Sequence, residues 1–317
     1  MLSFTIFLLA TSLICFIMGI LPSFTLLLAI LWGTSLIIAG LYLKTGWMPI
    51  LFGFNLLVLT LTAESSSVLF YLTFFGLAAF VMSFLVNLKE EFYQVQKWGI
   101  VSAVLGVSLF LGIIYYSTGD VGIAAMEDHL EIYITEAMDD EQTLGLLEFY
   151  EKQGISRNEI EKGFSDFAVT LSRHLPAFFY LQAILAVFFM LLLASYISIK
   201  HITKQLRKKP FEKEIMPWQV TWIAIIGLGL WLWDRDQMSF LYYAGSNILV
   251  ILVPITLYYG TSIAVYKIKR QKTARKWILI TIIILTVMLP LSVVILLSLL
   301  GLFDSLLDYR KVRLSEG

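Results

Sequence analysis

Nine apolar runs dominate this chain: 1–21, 24–43, 47–63, 68–88, 99–117, 177–199, 218–233, 238–266 and 277–300. Most reach the roughly 20 residues a helix needs to cross about 30 Å of hydrocarbon. They are apolar throughout and do not alternate, which excludes a transmembrane β-barrel. The expected fold is therefore all-α: a polytopic transmembrane helical bundle of about nine spans. Overall content agrees, with 59% hydrophobic and 15% charged residues, against roughly a quarter charged in soluble domains. No positive residue precedes the first run and no A-x-A site closes it, so 1–21 reads as a retained span. A single cysteine, Cys15, excludes an intrachain disulfide framework.

The acidic stretch 120–172 separates five spans from four. It holds thirteen of the 23 acidic residues, opposed only by Lys152, Arg157 and Lys162, and must lie in water. Ile123, Met126, Leu130, Ile134 and Ala137 recur at helical steps. A short helix is expected over 141–153, ending at Gly154. Ser156-Arg157-Asn158-Glu159 then has the spacing of a capping box, in which the hydroxyl and the carboxylate each satisfy the other residue's backbone N–H. Ile160, Phe164, Phe167, Ala168 and Leu171 carry an apolar face toward Pro176. The segment is either a lid over a ligand entrance or a solvated connector. Three regions follow: a five-span bundle over 1–117, an acidic extracytoplasmic helical segment over 118–175, and a four-span membrane region over 176–317.

Short loops rich in Lys and Arg stay cytoplasmic. Two such loops, 200–213 and 267–276, are expected inside the cell, which places 120–172 outside. Nine spans then leave the last residue outside, where Arg310, Lys311 and Arg313 fit poorly. Beside membrane spans the basic loops orient the chain and touch anionic lipid, so no nucleic-acid partner is expected.

No Asp, Glu, Lys, Arg or His falls deep within an expected span. Intramembrane ionisable groups mark proton relays and ion paths, so their absence argues against an ion-driven carrier or an intramembrane protease. His129, His174 and His201 lack metal-ligand spacing, and Asp139-Asp140-Glu141 lacks the glycine and spacing of an EF-hand. Phosphate-loop and nucleophile-elbow motifs are absent. The expectation is a non-enzyme without metal or cofactor. Mild polar groups remain in the spans: the amides of Asn55, Gln182 and Asn247, and kinks at Pro254 and Pro290, each freeing a carbonyl one turn back. These are met by Ser or Thr, or they border a neutral pocket for a small uncharged solute. Small residues four apart (Ala29/Gly33, Ala79/Ser83, Ser102/Gly106, Ser108/Gly112) suit close helix packing.

Residues 175–311 resemble the YybS-like family of bacterial membrane proteins. The likeness is carried by Leu175-Pro176, Lys209-Pro210-Phe211, Met216-Pro217-Trp218, Asn247, Tyr258-Tyr259-Gly260, and the closing Leu300-Gly301-Leu302-Phe303-Asp304-Ser305 with Asp308-Tyr309-Arg310-Lys311. That family has been likened to the substrate-binding S components of energy-coupling-factor transporters, so the resemblance implies solute capture in the inner membrane beside a coupling subunit. On that view Asn247 hydrogen-bonds the solute, Tyr258, Tyr259 and Gly260 support the pocket, and Asp304 with Arg310 closes the outer end. Six residues separate Asp304 from Arg310, so no direct pair is expected, and Asp308 would pair Lys311. The competing class is a scaffold or envelope assembly factor that holds a partner through the acidic segment.

Overall fold

A computed structural model describes residues 2–138, 154, 156–201, 205–235, 239–270, 280, 284–285 and 287–310. Every regular element among them is helical, because a backbone in hydrocarbon must satisfy its own hydrogen bonds. The chain divides into two compact units, Met1–Lys208 and Lys209–Gly317.

The first unit contains α1 (Leu2–Ile20), α2 (Thr25–Tyr42), α3 (Trp47–Thr62), α4 (Ser65–Tyr71), α5 (Leu77–Asn87), α6 (Phe92–Thr118), α7 (Ile123–Met138), α8 (Arg157–Arg173) and α9 (Leu175–His201). A five-residue π-helical turn, Leu72–Gly76, joins α4 to α5. Its core is aromatic and aliphatic: Trp32, Phe74, Phe75, Met82 and Met190 are fully buried. Small residues allow that density. A Cβ added at Gly33 would overlap Met190, and one at Gly40 the carbonyl of Ser83. Three of the spacings noted in the sequence therefore do pack helices together, at Gly33, Ser83 and Gly106, whereas Gly112 has no neighbour within 4 Å. At Gly119 (φ 78°) α6 ends in a left-handed cap whose N–H bonds the Tyr115 carbonyl at 2.8 Å.

α7 and α8 form the acidic pair. The capping box occurs as spaced: Ser156 N–H donates to Glu159 Oε2 at 2.9 Å, and Glu159 N–H to Ser156 Oγ at 3.3 Å. Ser172 donates to Glu127 Oε1 (2.9 Å), tying the two helices together. The expected helix over 141–153 and the Asp139-Asp140-Glu141 turn lie outside the described residues.

The second unit holds a 3-10 turn, Phe211–Lys213, and the helices α10 (Trp218–Trp233), α11 (Phe240–Arg270) and α12 (Pro290–Leu307). Among the described residues seven helices are long and apolar enough to cross a membrane. The expected third and seventh spans are the 16-residue helices α3 and α10. At 1.5 Å per residue each covers only about 24 Å.

The ninth span needs correction. Pro290 does not kink the interior of a helix over 277–300; it stands at the start of α12, after Leu289 leaves helical geometry (φ −136°, ψ 59°). A proline has no N–H to give and its ring clashes with the preceding turn, so the helix restarts there. α12 then runs past Gly301 to Leu307 and carries Asp304 inside it. Pro254 does remain within α11. There Thr256 Oγ1 bonds the Leu252 and Val253 carbonyls, each at 3.0 Å.

Candidate functional site

At one end of the first unit the α1–α2 turn at Pro22, the start of α4 and the third turn of α9 border an open depression of about 500 Å³. Its polar wall is Ser23, Thr25, Ser66, Ser67, Tyr71 and Gln182; Pro22, Leu26 and Phe70 supply the apolar wall. Among the described residues no acidic, basic or histidine side chain lines it. The Thr25 hydroxyl donates to the Pro22 carbonyl (2.7 Å) and lies 3.3 Å from the Tyr71 hydroxyl, which fixes both at the rim. Ser23, Ser66, Ser67 and the Gln182 amide have no hydrogen-bond partner among the described residues. Ser23 and Ser66 are exposed and Ser67 and Gln182 half-buried, so water reaches all four.

The helix behind this wall is irregular. The π-turn begins one residue after Tyr71, and π-turns are frequent at functional sites. It presses Phe74 edge-on against Phe110 (5.1 Å) and Phe179 (5.4 Å). It also brings the Thr73 carbonyl so close to α6 that only a glycine fits opposite, at Gly106. Gln182 was among the polar groups legible in the sequence. Tyr71 and the serines were not, because Ser65-Ser66-Ser67 has the look of a helix start and no more. The inserted residue of a π-turn leaves no trace in an apolar run.

The acidic pair carries a second groove of about 500 Å³ between α7 and α8. Glu127, Asp128, Glu131 and Glu161 rim it, opposed by Lys162, over a floor of Ile134, Ala168 and Val169. α6 ends at Thr118 and α9 begins at Leu175, and Gly122 lies beside Leu175. The acidic helices therefore emerge at the end of the unit that carries the neutral cavity.

In the second unit the chain builds a charge clasp that the spacing had argued against. Asp308 adopts a left-handed conformation (φ 43°) at the end of α12 and turns the chain back. Arg310 then reaches Asp304 Oδ2 through Nε (3.0 Å) and Nη2 (2.8 Å). Its remaining N–H groups meet the carbonyls of Glu212 (2.8 Å) and Glu214 (2.5 Å) and the hydroxyl of Ser262 (3.0 Å). Both charged side chains are at most 2% exposed. A reversal, not a helical i, i+4 step, makes the pair possible. It corrects one further expectation: the pair does not close the end opposite the basic loops. Asp304 falls in the last turn of α12, beyond the expected span 277–300. The pair packs on residues 212–214, where Glu212 also bonds Lys269 at 2.9 Å. That bond, with Lys213 nearby, holds the Glu212 carboxyl below its usual range.

The other expected site residues are spread along α11. Asn247 donates to the Tyr243 carbonyl of its own helix at 2.8 Å. Tyr258 lies edge-on to Phe211 (5.0 Å) and to Tyr259 (5.2 Å). Gly260 gives α12 room at the Leu297 carbonyl. Eleven residues of helix, roughly 16 Å, separate Asn247 from Tyr258, so the two do not share one contact shell. In the first unit Asn55 Oδ1 accepts from Thr11 (3.0 Å) and Ser12 (3.3 Å), and its Nδ2 has no partner among the described residues.

Residues 9–305 match the model of a family described as "Predicted membrane protein (DUF2232)". The chain belongs to this family. No curated protein and no solved structure matches it. Family membership, together with the seven long apolar helices, establishes a multi-pass helical membrane protein.

Proposed function

We propose that this protein is a non-catalytic membrane subunit that captures a small, mostly uncharged solute, in the manner of an S component, and that its second half is YybS-like. The observation that carries this reading is the uncharged, hydroxyl- and amide-lined cavity beside the π-turn. Its volume lies in the range of small-molecule sites, about 300–1,000 Å³. Membrane sidedness follows the charge bias: the acidic helices and the cavity face outward in the bacterial inner membrane, and the basic turns face the cytoplasm. The Asp304–Arg310 clasp, seated on residues 212–214, belongs with the basic side.

The test is native mass spectrometry of the intact protein with Gln182→Ala and Tyr71→Phe beside it. A co-purifying small molecule should be retained by the unaltered chain and lost from Gln182→Ala, while Asn247→Ala keeps it. Retention unchanged in both cavity variants would remove the site. A partner-holding scaffold is the second reading, favoured by the acid-rimmed groove between α7 and α8. Co-purification separates the two: a solute subunit brings down an ATPase with its membrane coupler, and a scaffold brings down an envelope protein through residues 120–172.

A further inference from the structure

We infer that the chain crosses the membrane twice, not once, between Arg270 and Arg310, so that it emerges from α12 on the side of the basic turns. The inference comes from the direction of α11 and α12. Gly260 of α11 faces the Leu297 carbonyl, and Gly301 of α12 faces the Thr256 carbonyl and the Gly260 nitrogen. Further along both, Arg310 Nη1 donates to Ser262 Oγ (3.0 Å), and the Tyr266 hydroxyl lies 3.5 Å from the Arg310 carbonyl. Residue numbers rise together on the two sides of this seam, so the helices run parallel. α10 gives a second, independent bearing. Asp234 accepts from Ser239 and from the Tyr242 N–H, which closes α10 and α11 into an antiparallel hairpin. α10 therefore begins where α11 ends, and there Thr221 meets Ser305 of α12. A single crossing over 277–300 would run opposite to α11 and leave Arg310 far from Ser262.

Two parallel helices in sequence require a return between them. α11 runs ten residues past Gly260, and α12 starts seven residues before Leu297. At 1.5 Å per residue the two ends lie roughly 25 Å apart along the helices, close to the hydrocarbon thickness of about 30 Å. The nineteen residues 271–289 are long enough for that return, since a helix of this length covers about 28 Å. From Trp277 to Leu289 they carry no charge. Ile284, Leu285, Val287 and Met288 are helical and exposed, as side chains facing lipid are. The break at Leu289 is then the reversal between the return and α12. The expected nine crossings become ten. Lys311 and Arg313, which fit poorly outside, now strengthen the charge bias of the basic side. Arg310 fastens this arrangement, because the Glu212 and Glu214 carbonyls it holds belong to the turn that precedes α10.

Single cysteines at exposed positions of the full-length protein test this: Arg235→Cys, Lys267→Cys, Leu289→Cys and Tyr309→Cys. Each is treated with a membrane-impermeant maleimide in intact cells and in inverted membrane vesicles. The unaltered chain is the blank, because Cys15 is buried. Lys267→Cys and Tyr309→Cys should lose label in intact cells and gain it in inverted vesicles. Arg235→Cys and Leu289→Cys should show the reverse. Labelling of Lys267→Cys and Tyr309→Cys from opposite sides overturns the inference. Labelling of both from outside supports the parallel arrangement and reverses only the sidedness drawn from charge. Neither result depends on a bound solute, so the two proposals fail separately. Should Tyr309→Cys not fold, a fluorescent protein that matures only in the cytoplasm, fused after Gly317, replaces it. Fluorescence with Lys267→Cys inside supports the inference, and its absence overturns it.

Discussion

The interior of Met1–Lys208 is built from large apolar side chains, with Trp32, Phe74, Phe75, Phe92 and Met82 sealed together. The interior of Lys209–Gly317 is lined by Thr221, Thr256, Ser262, Ser298 and Ser305 around the Asp304–Arg310 pair. Its buried apolar side chains among the described residues are few: Met216, Ala224, Leu252 and Ile263. Both units face the same difficulty, since lipid tails offer helices no hydrophobic reason to associate. The first answers with dispersion between interlocking large and small residues. Among its described helices the second relies on close backbone approach at Gly260 and Gly301 and on polar contacts such as Thr221 to Ser305 at 2.5 Å. Polar seams have a specific weakness: a removed partner leaves a buried group with nothing to bond. Among the described residues Asp304 Oδ1 and Ser298 Oγ are in that state, as are Trp32 Nε1 and Asn55 Nδ2 in the first unit.

The sharpest way to break this contrast is Arg310→Ala. It strands a buried carboxylate and should cost about 3–5 kcal/mol. Hydrogen exchange should rise across α10–α12 and remain unchanged across α2–α5. The paired change Asp304→Leu/Arg310→Met should restore most of that loss, because two apolar side chains leave no charge uncompensated. If Arg310→Ala leaves exchange unaltered, the second unit is not held by its clasp.

Glycine substitutions come next and test what the units share. Gly260→Val drives a side chain into the Leu297 carbonyl, and Gly106→Val into that of Thr73. Each should cost about 1–3 kcal/mol as overpacking, read as a lowered midpoint in thermal unfolding of the solubilised protein. Gly112→Val, with nothing nearby, should be neutral. Thr221→Val removes one hydroxyl contact and should cost about 0.5–1.5 kcal/mol.

The smallest effect lies outside the membrane. Hydrogen bonds from the Ser156 backbone and side chain lower the Glu159 carboxyl pKa. A carboxyl lowered by folding stabilises above its unfolded value of about 4.3 and loses that contribution as pH falls through the folded value. The first turn of α8 should therefore fray below about pH 4. Ser156→Ala should raise amide exchange at 157–160 about tenfold even at neutral pH, as loss of an N-cap does.

Local chemistry was the legible part of this protein. Continuous apolar runs give membrane helices wherever they are long enough, because the bilayer leaves the backbone no other solution. The Ser156–Glu159 box, the acidic pair and the Gly33 and Gly106 packing positions also act within a turn or between neighbouring spans. Pro290 was harder. A proline in an apolar run either kinks a helix or starts one, and the register of α12 decides between them. None of the expected site residues lines the neutral cavity; Gln182, noted only as a mild polar group in a span, does.

By itself the sequence determined that this chain is a helical, multi-pass membrane protein with a water-exposed acidic helical segment, since charge and hydropathy act residue by residue. Tertiary structure decided which groups meet: Arg310 with Asp304 across a left-handed reversal, and Gln182 with Tyr71 and the serines across three separate helices. Those meetings depend on where turns reverse the chain and how closely helices approach. Both are set by packing among residues far apart in the sequence.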